Sequence, residues 1–122
     1  AMLIPARDYL NALRVRKRMQ REVDACLKSV DAVLDATTAT VSCPLDRDFG
    51  AYQAGFTSSQ LGAASNVCGL PAVFLPSGVG KSGLPTSIQL VGRAFSDELL
   101  LALGQRIQSA SDWHKARPEK ID

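Results

Sequence analysis

The chain has 122 residues, 46% of them hydrophobic and 21% charged, the size and mix of one compact domain and too little for two independent cores. Fourteen Lys and Arg against twelve Asp and Glu leave a formal charge of +2, too small to imply a nucleic-acid partner or an anionic membrane surface from composition alone. No apolar run reaches the roughly 18 residues of a membrane helix, and the first residues lack the charged start and apolar stretch of a secretion signal, so the expectation is a cytoplasmic protein with no membrane partner.

Ala1 stands before Met2, which suggests a residue left from a cleaved tag and a reading frame that opens at Met2. The first predicted element is one long amphipathic helix over residues 5–30. Tyr9, Ala12, Leu13, Met19, Val23, Cys26 and Val30 recur at intervals of three, four and seven, with Lys17, Arg18, Arg21 and Lys28 mostly off that stripe. Seven basic residues (Arg7, Arg14, Arg16, Lys17, Arg18, Arg21 and Lys28) face three acidic ones (Asp8, Glu22 and Asp24) here, a charge pattern read as a solvated helix face. Arg16 falls on the apolar stripe itself and is expected to snorkel to its edge or pair with a buried acceptor.

Residues 32–36 form an apolar run long enough for a buried strand, and the threonines after it lie at the strand's C-terminal end, where open α/β sheets hold ligands. Residues 42–55 lack periodicity and read as an irregular loop, and 58–65 as a brief helix stopped by Asn66. Residues 72–75 are apolar at every position, as in a strand covered on both faces. A Gly-rich loop over 77–85 leads to a second strand over 86–91, with Ile88 and Leu90 alternating against Ser87 and Gln89, so the two strands make a long-looped hairpin. Ser96 is expected to cap a last helix, with Asp97 and Glu98 in its first turn and Leu100, Leu103, Ile107 and Ala110 as its core stripe.

Chemical motifs are few. Gly80-Lys81-Ser82 resembles the tail of a phosphate-cradling loop, but Leu75 stands where that pattern needs a glycine, and Gly83-Leu84-Pro85 stands where it needs a helix. Ser58 and Ser59 lack flanking glycines for an oxyanion pocket, and the lone histidine, His114, sits in a polar tail and reads as a surface or docking residue. Cys26, Cys43 and Cys68 are scattered without CxxC spacing, so they are expected as buried free thiols; no metal and no cofactor are expected.

The specific pattern lies elsewhere. Asn66 through Ala72 (Asn-Val-Cys-Gly-Leu-Pro-Ala), Leu75-Pro76-Ser77-Gly78, Gly83-Leu84-Pro85 and Gln89-Leu90-Val91-Gly92-Arg93 together resemble the closing part of the amidase signature family. Asp97-Glu98, Trp113-His114 and, upstream, Tyr9-Leu10, Ala12, Arg16 and Asp31-Ala32 extend the resemblance over nearly the whole chain. At Ala36-Thr37 the chain departs from that family's frequent Pro-Thr. The resemblance implies an α/β fold, the C-terminal segment of the amidase fold, with about three strands of a mixed sheet and two long helices. It also implies a hydrolase acting on amide C–N bonds through a Ser-Ser-Lys triad, none of whose members has a counterpart here.

The chain is therefore expected to be a single domain, inactive alone, whose contribution is architectural. A substrate-proximal loop is expected at Thr37, Thr38, Thr40 and Cys43. The expected partners are the missing N-terminal catalytic part, with its small amide substrate, or a second copy of the chain as a homodimer, with Val33, Phe74, Ile88 and Leu90 at or behind the contact. A stand-alone binding or assembly module derived from the family is the alternative, and a nucleotide or nucleic-acid binder using Lys81 or the basic helix is a third reading.

Overall fold

Pro5, extended at ψ 142°, stands where a helix can dispense with an N–H, and the first helix starts directly after it. In the computed structural model, which describes residues 3–38, 41–54 and 61–117, α1 runs Ala6–Leu27. It stops three residues short of the expected end, because the chain must turn back into β1 (Ala32–Ala36), and Val30 is left exposed. Only Leu27 of this helix is fully buried.

A short helix α2 (Phe49–Ala54) takes up the end of the irregular loop expected over 42–55, while residues 42–48 are irregular as expected. Its local cause is Asp48, whose carboxylate accepts the Ala51 N–H at 2.8 Å and caps the first turn. The next helix, α3 (Leu61–Cys68), runs straight through Asn66 and ends at Gly69, whose φ of +72° lets the chain leave in the left-handed conformation. All four carbonyls at that end are satisfied. Leu70 N–H donates to Ser65 and Gly69 N–H to Asn66, while Arg16 Nε donates to the Val67 carbonyl at 2.7 Å and Gln20 Nε2 to that of Cys68 at 2.8 Å. Arg16, the one charge on the apolar stripe, thus pairs with a backbone oxygen at a helix C-terminus, where a cation is favoured.

Strands β2 (Ala72–Val79) and β3 (Pro85–Gly92) form the expected hairpin. The sheet order is β1-β3-β2, with both pairings antiparallel, so the parallel pairing that would make the sheet mixed is not found among these three strands. Helix α4 (Asp97–Ser109) covers one face, where Leu75, Leu90 and Leu100 form the core with Ala32, Val73, Ile88, Leu103 and Ile107 around them. On the other face Val33 and Val91 meet α1 and α3 around an apolar cavity of about 230 Å³ lined also by Val23, Leu27 and Leu70.

Being in the middle, β3 is buried on both sides, and Gln89, expected on the polar side of an alternating strand, is only 1% exposed. The edge strand β2 shows the reverse. Val73 and Leu75 lie under α4, but Phe74 on the opposite face is 55% exposed, so 72–75 is not covered on both faces within this chain. Of the other residues expected near a contact, Leu90 is enclosed in the core and Ile88 packs against it.

Ser96 occupies the N-cap position of α4, but its hydroxyl donates to the Arg93 carbonyl and makes no capping bond, and Ala110 ends exposed at the C-cap instead of extending the stripe. The thiols also differ from expectation: Cys68 is buried, Cys43 half-buried and Cys26 exposed, all three free. Among the described residues no helix is long and apolar enough to cross a membrane.

At Gly92 β3 passes close to the start of α4. A Cβ there would run into the Ser96 hydroxyl and lie 3.1 Å from Leu100 Cδ2. Gly92→Ala is expected to destabilise the fold by about 1–3 kcal/mol through overpacking, read as a lower midpoint in urea with an unchanged slope.

Candidate functional site

The end of β1 and the turn of the β2–β3 hairpin come together at one edge of the sheet. Beyond Ala36 the ladder continues for one residue, Thr37 N–H donating to the Ser87 carbonyl at 3.0 Å. In β2 the register slips between Pro76 and Gly78, so that Ser77 is the extra residue of a bulge, and its hydroxyl meets that of Thr86 at 3.2 Å. The turn is closed by Gly80 N–H to the Leu84 carbonyl and Gly83 N–H to the Gly80 carbonyl, with Gly83 at φ +79°.

These elements enclose a cavity of about 440 Å³ lined by Ala36, Thr38, Val41, Ser77, Lys81, Ser82, Thr86, Ser87 and Ile88. Its polar groups are five hydroxyls and one ammonium, its apolar patch is Ala36, Val41 and Ile88, and no carboxylate is among its lining side chains. It falls within the size range of small-molecule sites.

The four residues expected at a substrate loop separate. Thr38 lines the cavity, whereas Thr37 turns its Oγ1 to a buried position without a hydrogen-bond partner. Cys43 is half-buried, with its Sγ 3.3 Å from the Pro44 carbonyl oxygen and 3.9 Å from that of Arg47, inside its own turn and outside the cavity lining. Thr40 lies outside the described residues, as do Ser58 and Ser59.

The residues that the sequence did not single out are Ser77, Thr86 and Ser87. Their signal was present as a hydroxyl on each side of the glycine turn, but their meeting depends on the bulge. Gln89 was also missed. Its Nε2 reaches the Ala36 carbonyl at 3.4 Å from the middle strand and its Oε1 is buried with no partner among the described residues, so it steadies the point where β1 gives way to the cavity wall.

Nucleophile chemistry finds little support. His114 lies in a 3-10 turn (Trp113–Lys115) after α4, with its Nδ1 buried and unpartnered. Ser109 shares a surface recess with it, yet the serine hydroxyl donates to the Gln105 carbonyl within its own helix. Among the described residues no group of three or more His, Cys, Asp or Glu stands together as a metal site.

Lys81 lies in a strand-to-strand turn, so no helix N-terminus follows it, and two of the loop's N–H groups are used across the turn. Titrating ATP or GTP with magnesium is therefore expected to give no saturable binding. Micromolar affinity that Lys81→Ala abolishes would overturn that reading.

Residues 2–101 of the chain match the Amidase family. A glutamyl-tRNA(Gln) amidotransferase subunit from Legionella pneumophila (strain Paris) is 35% identical over 112 residues, which are 92% of this chain and 23% of that protein. Among solved structures, an amidase superposes with a TM-score of 0.76 at 26% identity, covering 89% of this chain and 26% of that one. The corresponding amidotransferase subunit from Thermotoga maritima superposes at 0.67, also with 26% identity, covering 84% of this chain and 22% of that one. The chain thus spans less than a quarter of the length of the Legionella relative, which it covers to 23%.

Proposed function

The chain belongs to the amidase family, and from that premise we propose that it is the C-terminal part of an amide hydrolase, completing the fold around a catalytic segment that it does not itself contain. The observation that carries this reading is the bare seam of α1. The stripe that meets α3 and the sheet through Gln20, Val23 and Leu27 continues toward the N-terminus through Leu13 and Tyr9. There, among the described residues, the stripe is exposed, Tyr9 by 60% and Leu13 by 39%. A helix of 22 residues gains little stability from its own hydrogen bonds, so a half-seated amphipathic helix calls for a second surface.

In this reading the catalytic part of the polypeptide supplies that surface, and an amide C–N bond is cleaved only when the two are together. A small amide substrate approaches the loop that carries Thr37, Thr38, Thr40 and Cys43. Where the catalytic part is absent, a second copy takes its place and the chain is a homodimer. The three free thiols fit a reducing cytoplasm.

Two measurements test the reading. Assayed against simple aliphatic and aryl amides, the chain is expected to show no turnover, because no nucleophile with a positioned base and oxyanion donors is found among the described residues. Activity that persists through purification and vanishes in Ser58→Ala or Ser59→Ala would refute it. In sedimentation equilibrium at micromolar concentration the expected species is a dimer; a stable, folded particle at the 13.0 kDa monomer mass would mean that the bare faces need no partner.

A further inference from the structure

We propose that the cavity between the β2–β3 turn and the end of β1 is a binding site for a short aliphatic carboxylate, with Lys81 as its counter-ion. Among the described residues Lys81 contributes the only charge to the lining, no Asp or Glu shares the wall, and Lys81 belongs to none of the ion pairs. An ammonium in such a recess attracts an anion, and the hydroxyls of Ser77, Ser82, Thr86 and Ser87 are donors that turn to suit an anionic oxygen.

The Ser77 and Thr86 hydroxyls lie 3.2 Å apart and bond to each other, so one of the two always has its proton engaged and the other is free to donate outward. This pair is held by the bulge at Ser77, which belongs to the backbone of the hairpin and does not depend on a flexible loop.

The same geometry selects among anions. A phosphate site is built from convergent backbone N–H groups, usually at a helix N-terminus. Here the turn spends its Gly80 and Gly83 N–H groups on Leu84 and Gly80, and a strand follows. Besides the N–H groups of Lys81 and Ser82, which do not converge from a helix end, the lining offers one cation, side-chain hydroxyls and the apolar patch of Ala36, Val41 and Ile88. That combination suits a carboxylate on a short hydrocarbon body. Resting on the reading of the chain as part of an amide hydrolase, the inference assigns the substrate class as an amide whose acyl part carries a free carboxylate.

The test uses the chain as it is, with butyrate and butyramide as probes of the same shape that differ in charge. In two-dimensional amide NMR, butyrate is expected to shift the resonances of Ser77, Ser82 and Thr86 saturably. Butyramide is expected to bind more weakly by up to about fivefold, the size of one exposed ion pair. Lys81→Met is expected to bring butyrate down to the level of butyramide and leave butyramide unchanged, with the rest of the spectrum reporting an intact fold. Thr86→Val is expected to weaken both probes.

Absence of saturable shifts in this region, or equal butyrate affinity in the wild-type chain and Lys81→Met, would overturn the proposal. Either result leaves the amide-hydrolase reading standing, because that rests on the family match and on the bare seam of α1. Amide turnover by the chain alone would instead strike at that reading and leave the carboxylate site intact.

Discussion

β3 has to lie between β1 and β2, and the remaining elements take their places from that constraint. Its pairing with β2 is local, closed by one glycine turn, whereas its pairing with β1 joins segments whose contacting residues, Gln89 and Ala36, are 53 positions apart. The long-range pairing carries the larger closure entropy and must be offset by burial. Leu90 offsets it on the face under α4 and Val91 on the face under α1 and α3, each worth roughly 1.5–3 kcal/mol when fully buried.

The helical layer of α1 and α3 is held differently, by polar closure more than by area. The last carbonyls of α3 would be left unsatisfied where α1 crosses them, and Arg16 and Gln20 remove that cost by donating across the gap. The apolar contact beside these bonds is loose enough to leave a cavity. The helix is thereby anchored along its C-terminal half, while Tyr9 and Leu13 on the same stripe are exposed. Polar closure fixes the orientation of α1 on α3.

The cavity at the opposite end of the sheet follows from the same middle strand. Ser87 and Thr86 lie at the start of β3, Ile88 continues it, and Gln89 reaches over to the Ala36 carbonyl where β1 ends. The bulge in β2 then turns Ser77 against Thr86. Lys81, whose Gly-Lys-Ser setting resembles a phosphate loop in sequence, acquires a different character once the turn is closed on itself.

Residue order alone was enough to specify the family, through Asn66, Gly69-Leu70-Pro71, Gly83-Leu84-Pro85 and Gln89 with Gly92, and with it the α/β class and the order of the main elements. Those features were legible because they are local: helical periodicity in α1 and α4, alternation and a glycine turn in the hairpin, an acidic first turn at Asp97. Thr38, expected at a substrate loop from its place after a strand, lines the cavity. Which strand is central emerges only on folding, and with it the burial of Gln89 and the exposure of Phe74, the reverse of what alternation and apolar run suggest. Burial depends on neighbours from distant parts of the chain, and a strand's own pattern does not say how many faces will be covered. Asn66 as a helix interior, the meeting of Ser77 with Thr86 and the partner of Arg16 belong to the same class, since each is set by a contact or a register slip that no local spacing records.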